Sequence, residues 1–379
     1  MAAKVVHLIT RLDLGGAQGN TLYTVDHLDP ARWEAVLVCG EGGALDAEPR
    51  RARTVFLSSL VHPVAPLHDL LCLLELASFF LREKPAVVHT HSSKAGILGR
   101  FAAALAGVPV VVHTYHGFGF HDRQGPLTKG LFVLLERLAA RLSTVSVFVS
   151  ESNRAYAVRH GLVKEGEGEL IRSGVRLSDY PAKADKAKLK TAAGIGMHKP
   201  LVVSVGNLKP QKNAADFVAL AAKVSAAVPE ARFVFIGDGP QRRALEAKAF
   251  ALGLEGRLLF LGWRRDTAQW LAAADAFVMT SLWEGLPRSL VEAMKTGLPC
   301  LCYATDGVTD LLRDGVNGMM VPAGDADALA ARLTRVLQDP ELAARLGRAA
   351  AASIGPEFDI DGMVRAQEEL YARLLAGRG

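Results

Sequence analysis

Two glutamates eight positions apart, Glu284 and Glu292, stand in the segment S-L-W-E-G-L-P-R-S-L-V-E-A-M-K-T-G-L-P. Pro287 suits the first turn of a helix, where its missing N–H costs nothing, and Gly297 with Pro299 ends that helix. The spacing predicts Glu284 in the loop ahead of the helix and Glu292 inside it. The stretch Gly285, Leu286, Pro287, Arg288 and Ser289 then offers main-chain N–H groups and the positive end of the helix dipole to a phosphate. An ionised carboxylate is an acceptor-only group that can take two hydrogen bonds from a vicinal diol, so one glutamate suits sugar hydroxyls and the other a ribose. A nucleotide sugar carries both kinds of partner. The same two acids also read as ordinary helix-start carboxylates that stabilise the dipole.

Other reactive side chains are less sharply patterned. His89, His91, His113 and His116 fall at the ends of neighbouring predicted strands, and His121 follows. A zinc site would call for an HxxxH helix or nearby Cys or acid ligands, and neither is visible, so no metal is expected. Gly15 and Gly16 follow the first strand, where a missing Cβ lets backbone approach a phosphate or sugar; a turn explains the pair equally well.

The elements that must position these groups alternate along the chain. KVVHLI, EAVLVC, TVFL, AVVHT, VPVVVHT and VSVFVS read as strands, with helices from about residue 18 and over 67–83, 93–106 and 127–141. The alternation breaks over 164–190, with EGEGE, a short IRSGV strand and the polar YPAKADKAKLK, which places a linker near 175–185. A second series follows: LVVSV, RFVFIG, RLLFLG, ADAFVMT and PCLCYA, with helices over 213–227, from 241, from 287, and over 325–338 and 340–352. The expected fold is α/β, with two doubly wound, Rossmann-like domains at 1–178 and 179–355, and a last helix over 356–379 that docks on something already built. In such sheets ligands bind beyond the carboxyl ends of the strands, which is where the glycines and polar residues concentrate.

Composition narrows the functional classes. A chain of 379 residues that is 50% hydrophobic is too apolar to be disordered and long enough for two domains. Its net charge of +5 suits an anionic ligand or lipid surface and is too weak to indicate a nucleic-acid binder. Four scattered cysteines do not make a disulfide framework, and Cys300 and Cys302 lie in a strand-like run, so a reducing cytoplasm is expected. MAAKVVHLITRLD reads as a strand and not a signal peptide, and the greasiest run, 67–81, carries Asp69 and Glu75 and is too short to span a bilayer.

The E-x7-E segment EGLPRSLVEAM resembles the donor-site signature of glycosyltransferase family 4, retaining enzymes of the GT-B fold that use nucleotide sugars. VSVGNLKPQKN resembles that family's G-R-L-x-x-x-K-G loop, FIGDGP its G-x-G-P turn around Gly239, and GVNGMMVPAGD the stretch after the donor helix. RLDLGGAQGN resembles its glycine-rich first loop and VVHTYHG its strand-end histidine. The similarity covers nearly the whole chain. It implies an interdomain cleft, donor in the second domain and acceptor in the first, and a last helix over 356–379 that crosses back onto the first domain.

Residue by residue, the resemblance makes Glu284 the ligand of donor-sugar hydroxyls and Glu292 that of the ribose diol. Lys212 pairs with the donor diphosphate, where a fixed cation stabilises charge on the leaving group and can replace a metal. His116 stands at the reacting sugar, and Gly15 and Gly16 approach the donor. Asn207 occupies a position where the family usually has Arg, which removes one cation; Lys209, Arg288 and the helix N-terminus are the groups that could make up for it. Trp263 and Arg264 fall where the second domain faces a nucleobase, although a Trp there also fits simple packing. HTHSSKAGILGRFAAALAGVP resembles a subset of the family that builds bacterial surface polysaccharides on polyprenyl diphosphates. In that reading His91, Ser92, Ser93 and Lys94 meet the acceptor; an N-cap serine beside a solvated lysine is the alternative.

Segment 123–141 puts Leu131, Leu134, Leu135 and Leu138 on one face and carries Arg123, Lys129, Arg137 and Arg141 against Glu136. It fits a core-facing helix or one lying on anionic lipid. The expected activity is transfer of a sugar from a nucleotide-diphosphate sugar, of UDP type, to a saccharide or lipid-linked acceptor in cell-envelope polysaccharide synthesis, without metal or other cofactor, in the cytoplasm, with association at the cytoplasmic face of a membrane left open. A non-hydrolysing UDP-sugar epimerase and a catalytically silent nucleotide-sugar-binding protein are the alternatives. A nicotinamide enzyme is disfavoured, because no GxGxxG with a following acid succeeds the first strand.

Overall fold

The structure, a computed structural model, describes residues 2–120, 124–180 and 185–377. Two units emerge, one formed by Met1–Gly174 with Ile360–Gly379 and the other by Val175–Asp359. His121, Arg123 and the 181–184 part of the expected linker lie outside the described residues.

The first unit is built on seven parallel strands: β1 (Ala3–Arg11), β2 (Trp33–Gly40), β3 (Arg53–Phe56), β4 (Val87–His91), β5 (Val110–Tyr115), β6 (Val145–Phe148) and β7 (Glu169–Leu170). Their order is β3-β2-β1-β4-β5-β6-β7, so the sheet reverses direction of growth between β1 and β4. Valines and isoleucines on both faces of the central strands are buried, which is what a parallel sheet covered by helices requires. One face packs against the helices Pro66–Glu83 and Ser93–Leu105. On the other face Val5, Val87, Val110, Val112 and Val147 pack against Ile360, Met363, Val364, Leu370 and Tyr371 of the last helix, Ile360–Ala376.

The second unit repeats the plan with six strands: β8 (Leu201–Val205), β9 (Arg232–Ile236), β10 (Leu258–Phe260), β11 (Ala276–Met279), β12 (Cys300–Tyr303) and β13 (Met319–Val321). The order is β10-β9-β8-β11-β12-β13, with its reversal between β8 and β11. Phe217, Leu220, Ala221 and Val224 of the helix Ala214–Ala227 are buried in its core, as their helical spacing predicts.

The structure sharpens the local reading in three places and corrects it in the first. The short strand before the unit boundary is Glu169–Leu170, not IRSGV, because its partner β6 ends at Phe148 and the last ladder bond is donated by Ile171 N–H to Phe148. Just past the linker expected near 175–185, Lys186–Ala192 in the polar stretch is a helix, capped by the Asp185 side chain and anchored by the Lys190 ammonium on Asp275 and the Lys199 carbonyl. In the helix Pro126–Ala140, Leu131, Leu134 and Leu138 point outward, while Val133, Glu136 and Ala139 face the interior. Glu136 is drawn in by Arg100, with which it forms an ion pair at 2.6 Å from which solvent is excluded.

All four cysteines are buried and unpaired. Burial pushes the Cys39 thiol up to about 12 and Cys72 to about 11, and raises Cys300 and Cys302 as well. Since the thiolate is the reactive form, Ellman's reagent at pH 8 is expected to find no fast-reacting thiol in the native protein and all four in guanidinium. A fast native thiol would show that the packing around one of these cysteines is open.

Candidate functional site

In the second unit the loops at the carboxyl ends of β8, β9 and β11 are laced together. The Thr280 hydroxyl donates to the carbonyls of Lys212 and Asn213, the Gln211 amide to Trp283 O at 2.8 Å, and Leu282 N–H to Gln211 O at 2.9 Å. Leu208 N–H donates to Asp238 O, which sets Gly239 beside Leu208. Gly285 is in turn pressed against Gly307, where a Cβ would lie 1.8 Å from the Gly285 carbonyl oxygen, so only glycine allows these loops to meet.

This lacing brings Lys212 and Glu284 into an ion pair, with the Glu284 carboxylate buried and the Lys212 ammonium nearly so. Glu284 lies in the loop before the helix Arg288–Lys295 and Glu292 on its second turn. Burial raises the Glu292 carboxyl above its ordinary range, opposed by the Arg288 guanidinium and by a hydrogen bond with the Tyr180 phenol. Tyr180, whose own ionisation is pushed up by burial and by Glu292, is a neighbour that the sequence did not mark. Gly285, Leu286, Pro287, Arg288 and Ser289 form the approach to that helix, with Pro287 at its N-cap.

The Asn207 carboxamide oxygen is buried and accepts no hydrogen bond. Arg264 is held by Asp266 through two hydrogen bonds of 2.6 and 2.8 Å. Trp263, just beyond β10, is 44% exposed, so its ring is not core packing. Two carboxylates, one ammonium, a helix start and an exposed indole thus share one end of this sheet, a combination suited to an anion bearing hydroxyls and a flat ring.

Gly15 and Gly16 belong to the first unit, at the N-cap and first residue of the helix Gly16–His27. His116, His91, Ser92, Ser93 and Lys94 belong there too. Ser92, between β4 and the helix Ser93–Leu105, has φ 61° and ψ 156°, a strained backbone for a residue with a side chain, and its hydroxyl bonds that of Thr10 at 2.7 Å. Ser93 Oγ faces Gly119. Lys94 is engaged by Asp69 at 2.5 Å and by the Pro63 carbonyl, not solvated.

The histidines divide between the two faces of the sheet. His113 pairs in register with Thr90 and packs beneath the helix Ser93–Leu105, its ring 2.4 Å from where a Cβ of Gly96 would sit. His89 and His91 face the other way with His7, which lies beside His89 in the β1–β4 register. His7 went unmarked in the sequence because only strand order makes β1 a neighbour of β4. Ring nitrogens of His7, His89 and His91 lie within 4.8 Å of one another, the one such group among the described residues. Those of His7 bond His91 and Tyr371, those of His91 bond His7 and His116, and those of His89 bond Tyr371 and Thr114. Every lone pair and N–H is thereby committed, so the trio is a hydrogen-bonded core cluster and a metal would have to break it. Burial pushes His7 down to about 3 and holds His89 and His91 well below the usual imidazole range, so all three are neutral. His91 and His116 line a small cavity with Asn20, Thr21, Thr114 and Gln367, whereas His89 does not reach it.

Comparison with known proteins agrees in both units. Residues 15–174 match the glycosyl transferase 4-like domain and residues 185–353 the glycosyl transferases group 1 family. The chain is 34% identical over 344 residues to the UDP-Gal:alpha-D-GlcNAc-diphosphoundecaprenol alpha-1,3-galactosyltransferase of Escherichia coli, covering 89% of each. It is 32% identical over 194 residues to the lipopolysaccharide core biosynthesis glycosyltransferase LpsE of Rhizobium meliloti, covering 51% of this chain and 54% of that one. In three dimensions it is similar to Anabaena HepE in complex with UDP and glucose, with a TM-score of 0.82, 21% identity and coverage of 98% and 100%. Sucrose-phosphate synthase of Thermosynechococcus elongatus superposes with a TM-score of 0.86 at 21% identity, over 99% and 100% of the two chains. These likenesses make the fold GT-B.

The Lys212–Glu284 pair is open to a direct check. In a double-mutant cycle on urea unfolding with Lys212→Met and Glu284→Gln, a coupling of about 1–3 kcal/mol is expected for a charge-assisted contact largely shielded from water. Strict additivity would show that the two side chains do not meet in the unliganded protein.

Proposed function

The chain belongs to the family 4-like glycosyltransferases of GT-B fold, and on that premise we propose that it is a retaining, metal-independent enzyme that moves a sugar from a UDP-sugar to a polyprenyl-diphosphate-linked acceptor in cell-envelope polysaccharide synthesis. The observation that carries the reading is the Lys212–Glu284 pair beside the start of the helix Arg288–Lys295. An arriving diphosphate takes over the Lys212 ammonium and the helix N-terminus, which releases Glu284 to accept hydrogen bonds from sugar hydroxyls. Glu292, costly to ionise while buried, gains the hydroxyls of the ribose diol as donors. As the sugar–phosphate bond breaks, charge accumulates on the leaving diphosphate, and Lys212 is fixed where it stabilises that charge without a metal.

Asn207 supplies no charge, so Lys212 and the helix start act without the arginine usual in the family. The Arg264 guanidinium is already satisfied by Asp266, which leaves Trp263 as the surface for a nucleobase. In the first unit His116 stands at the reacting sugar and His91 on the acceptor side, and Ser93 and Lys94 lie at the helix start that would meet the acceptor phosphate, with Asp69 as the competitor for Lys94.

Lipid linkage of the acceptor is supported by the outward leucines. Leu127, Leu131, Leu134 and Leu138 on one helix and Leu67, Leu70, Leu71 and Leu74 on another are exposed, Leu127 by 89%, and the helix Ser93–Leu105 packs against both. Exposed leucines in such number beside Arg137 and Arg141 fit the headgroup region of an anionic membrane. No helix among the described residues is long and apolar enough to cross a bilayer.

Glu284→Ala is expected to abolish transfer while the fold survives, with Tm lowered by no more than the loss of the Lys212 contact entails, because a loop acid at a ligand site bears little packing. Thermal-shift screening against UDP-, GDP- and ADP-sugars should give the largest stabilisation with a UDP-sugar. Transfer surviving in Glu284→Ala would overturn the assignment, and conversion of the donor without an acceptor would favour an epimerase.

The protein is also expected to co-sediment with phosphatidylcholine vesicles containing phosphatidylglycerol. The Leu131→Glu, Leu134→Glu double variant should bind at least about ten-fold more weakly, each buried leucine contributing about 1.5–3 kcal/mol. Equal binding by variant and wild type would remove this face from the membrane.

A further inference from the structure

Along the buried face of the first sheet, five side chains meet end to end. Gln367 Oε1 lies 3.2 Å from the Tyr371 hydroxyl, and the hydroxyl lies 3.3 Å from His7 Nε2. His7 Nδ1 lies 3.0 Å from His91 Nε2, and His91 Nδ1 lies 3.1 Å from His116 Nε2. His7, His91 and Tyr371 are buried, and His91, His116 and Gln367 line the same cavity.

Each neutral imidazole has one N–H and one lone pair, so each contact holds a single proton and all contacts must run in the same direction. Tyr371 decides which. Its oxygen has three neighbours: His7 Nε2, His89 Nδ1 at 2.5 Å, and Gln367 Oε1. The amide oxygen can only accept, so the single phenol proton goes to Gln367 and both imidazoles must donate to Tyr371. The Gln367 amide nitrogen is turned to Thr24 Oγ1, and Thr114 Oγ1, 2.7 Å from His89 Nε2, donates there. His7 then carries its proton on Nε2 and accepts at Nδ1; His91 does the same, and so does His116.

We infer that Gln367, Tyr371, His7 and His91 are positioning residues that hold His116 in its Nε2–H tautomer and present Nδ1 as a hydrogen-bond acceptor to a substrate hydroxyl. The inference rests on the reading of His116 as the residue at the reacting sugar, and adds a polarity set by one amide on the last helix. Nothing in the chain changes charge, so the proton count is the same in both directions. Only the direction differs.

Nitrogen-15 NMR of histidine-labelled protein, with resonances assigned by single substitutions, tests it. Nε2–H is expected at His7, His91 and His116, and Nδ1–H at His89. Gln367→Leu removes the acceptor and is expected to turn the Tyr371 proton to His7, reversing the chain and moving the His116 proton to Nδ1; a proton taken instead by His89, the nearer ring, with His116 unchanged, would overturn Gln367 as the residue that sets the polarity. Transfer should then fall by about 100-fold in kcat, the scale of a positioned acid–base group, with the Kd for UDP unchanged. Gln367→Glu, which keeps a carboxyl oxygen as acceptor, should restore the wild-type pattern. Nδ1–H at His7 and His91 in the wild type, or the same tautomers in wild type and Gln367→Leu, would overturn the chain whatever the activity. A metal retained one per protein and lost in His7→Phe would overturn it too. Tautomers that reverse while transfer continues at the wild-type rate would leave the chain standing and remove His116 from the reaction.

Discussion

The packing of the last helix onto the first sheet is the contact on which the rest depends. Val5, Val87, Val110, Val112 and Val147 present an apolar strip that helix Ile360–Ala376 covers with Ile360, Met363, Val364, Leu370 and Tyr371. Each apolar side chain so buried contributes about 1.5–3 kcal/mol. The chain therefore completes its first unit only after the second has been passed through. The same helix supplies Tyr371 to His7 and His89 and Gln367 to Tyr371, so the core of the first unit and the polar chain leading to His116 are closed by one segment.

Parallel strand order imposes the second constraint. In each sheet the connections at the reversal point diverge, β1 from β4 and β8 from β11, and side chains of loops distant in sequence converge there. In the second unit that is where Lys212 meets Glu284. In the first it is where Ser92 reaches Thr10 and His91 reaches His7. The strained backbone at Ser92 is held by these contacts from β1, which over-determine the loop.

The buried charged and imidazole groups of both units are taken from water together with partners suited to them. Arg100 and Glu136 answer each other inside the first unit, and Lys190 answers Asp275 in the second. The histidines avoid the cost of a buried charge by staying neutral and exchanging hydrogen bonds among themselves and with Tyr371 and Thr114. The exposed leucines of the Pro126–Ala140 helix are the other side of this pairing: because Glu136 turns inward to Arg100, the leucine face turns out.

Much of this was legible in the sequence, because strand and helix periodicity, a proline that starts a helix and glycines at strand ends are local signals. They determined the two βα series, the loop position of Glu284, the helical position of Glu292 and the placement of the candidate site residues after the strands. Contacts between distant segments were left to the tertiary structure. Lys212 and Glu284 are 72 residues apart, His7 and His91 84, and His89 and Tyr371 282. Those pairings follow from strand order and register, which bring β1 beside β4 and the last helix back over both. No local pattern encodes them, because the free energy that selects them is the burial of whole sheet faces. Sequence alone thus assigned residue types to a nucleotide-sugar chemistry, while the fold decided which carboxylate meets which ammonium, which histidines share a face, and which side of an amphipathic helix water sees.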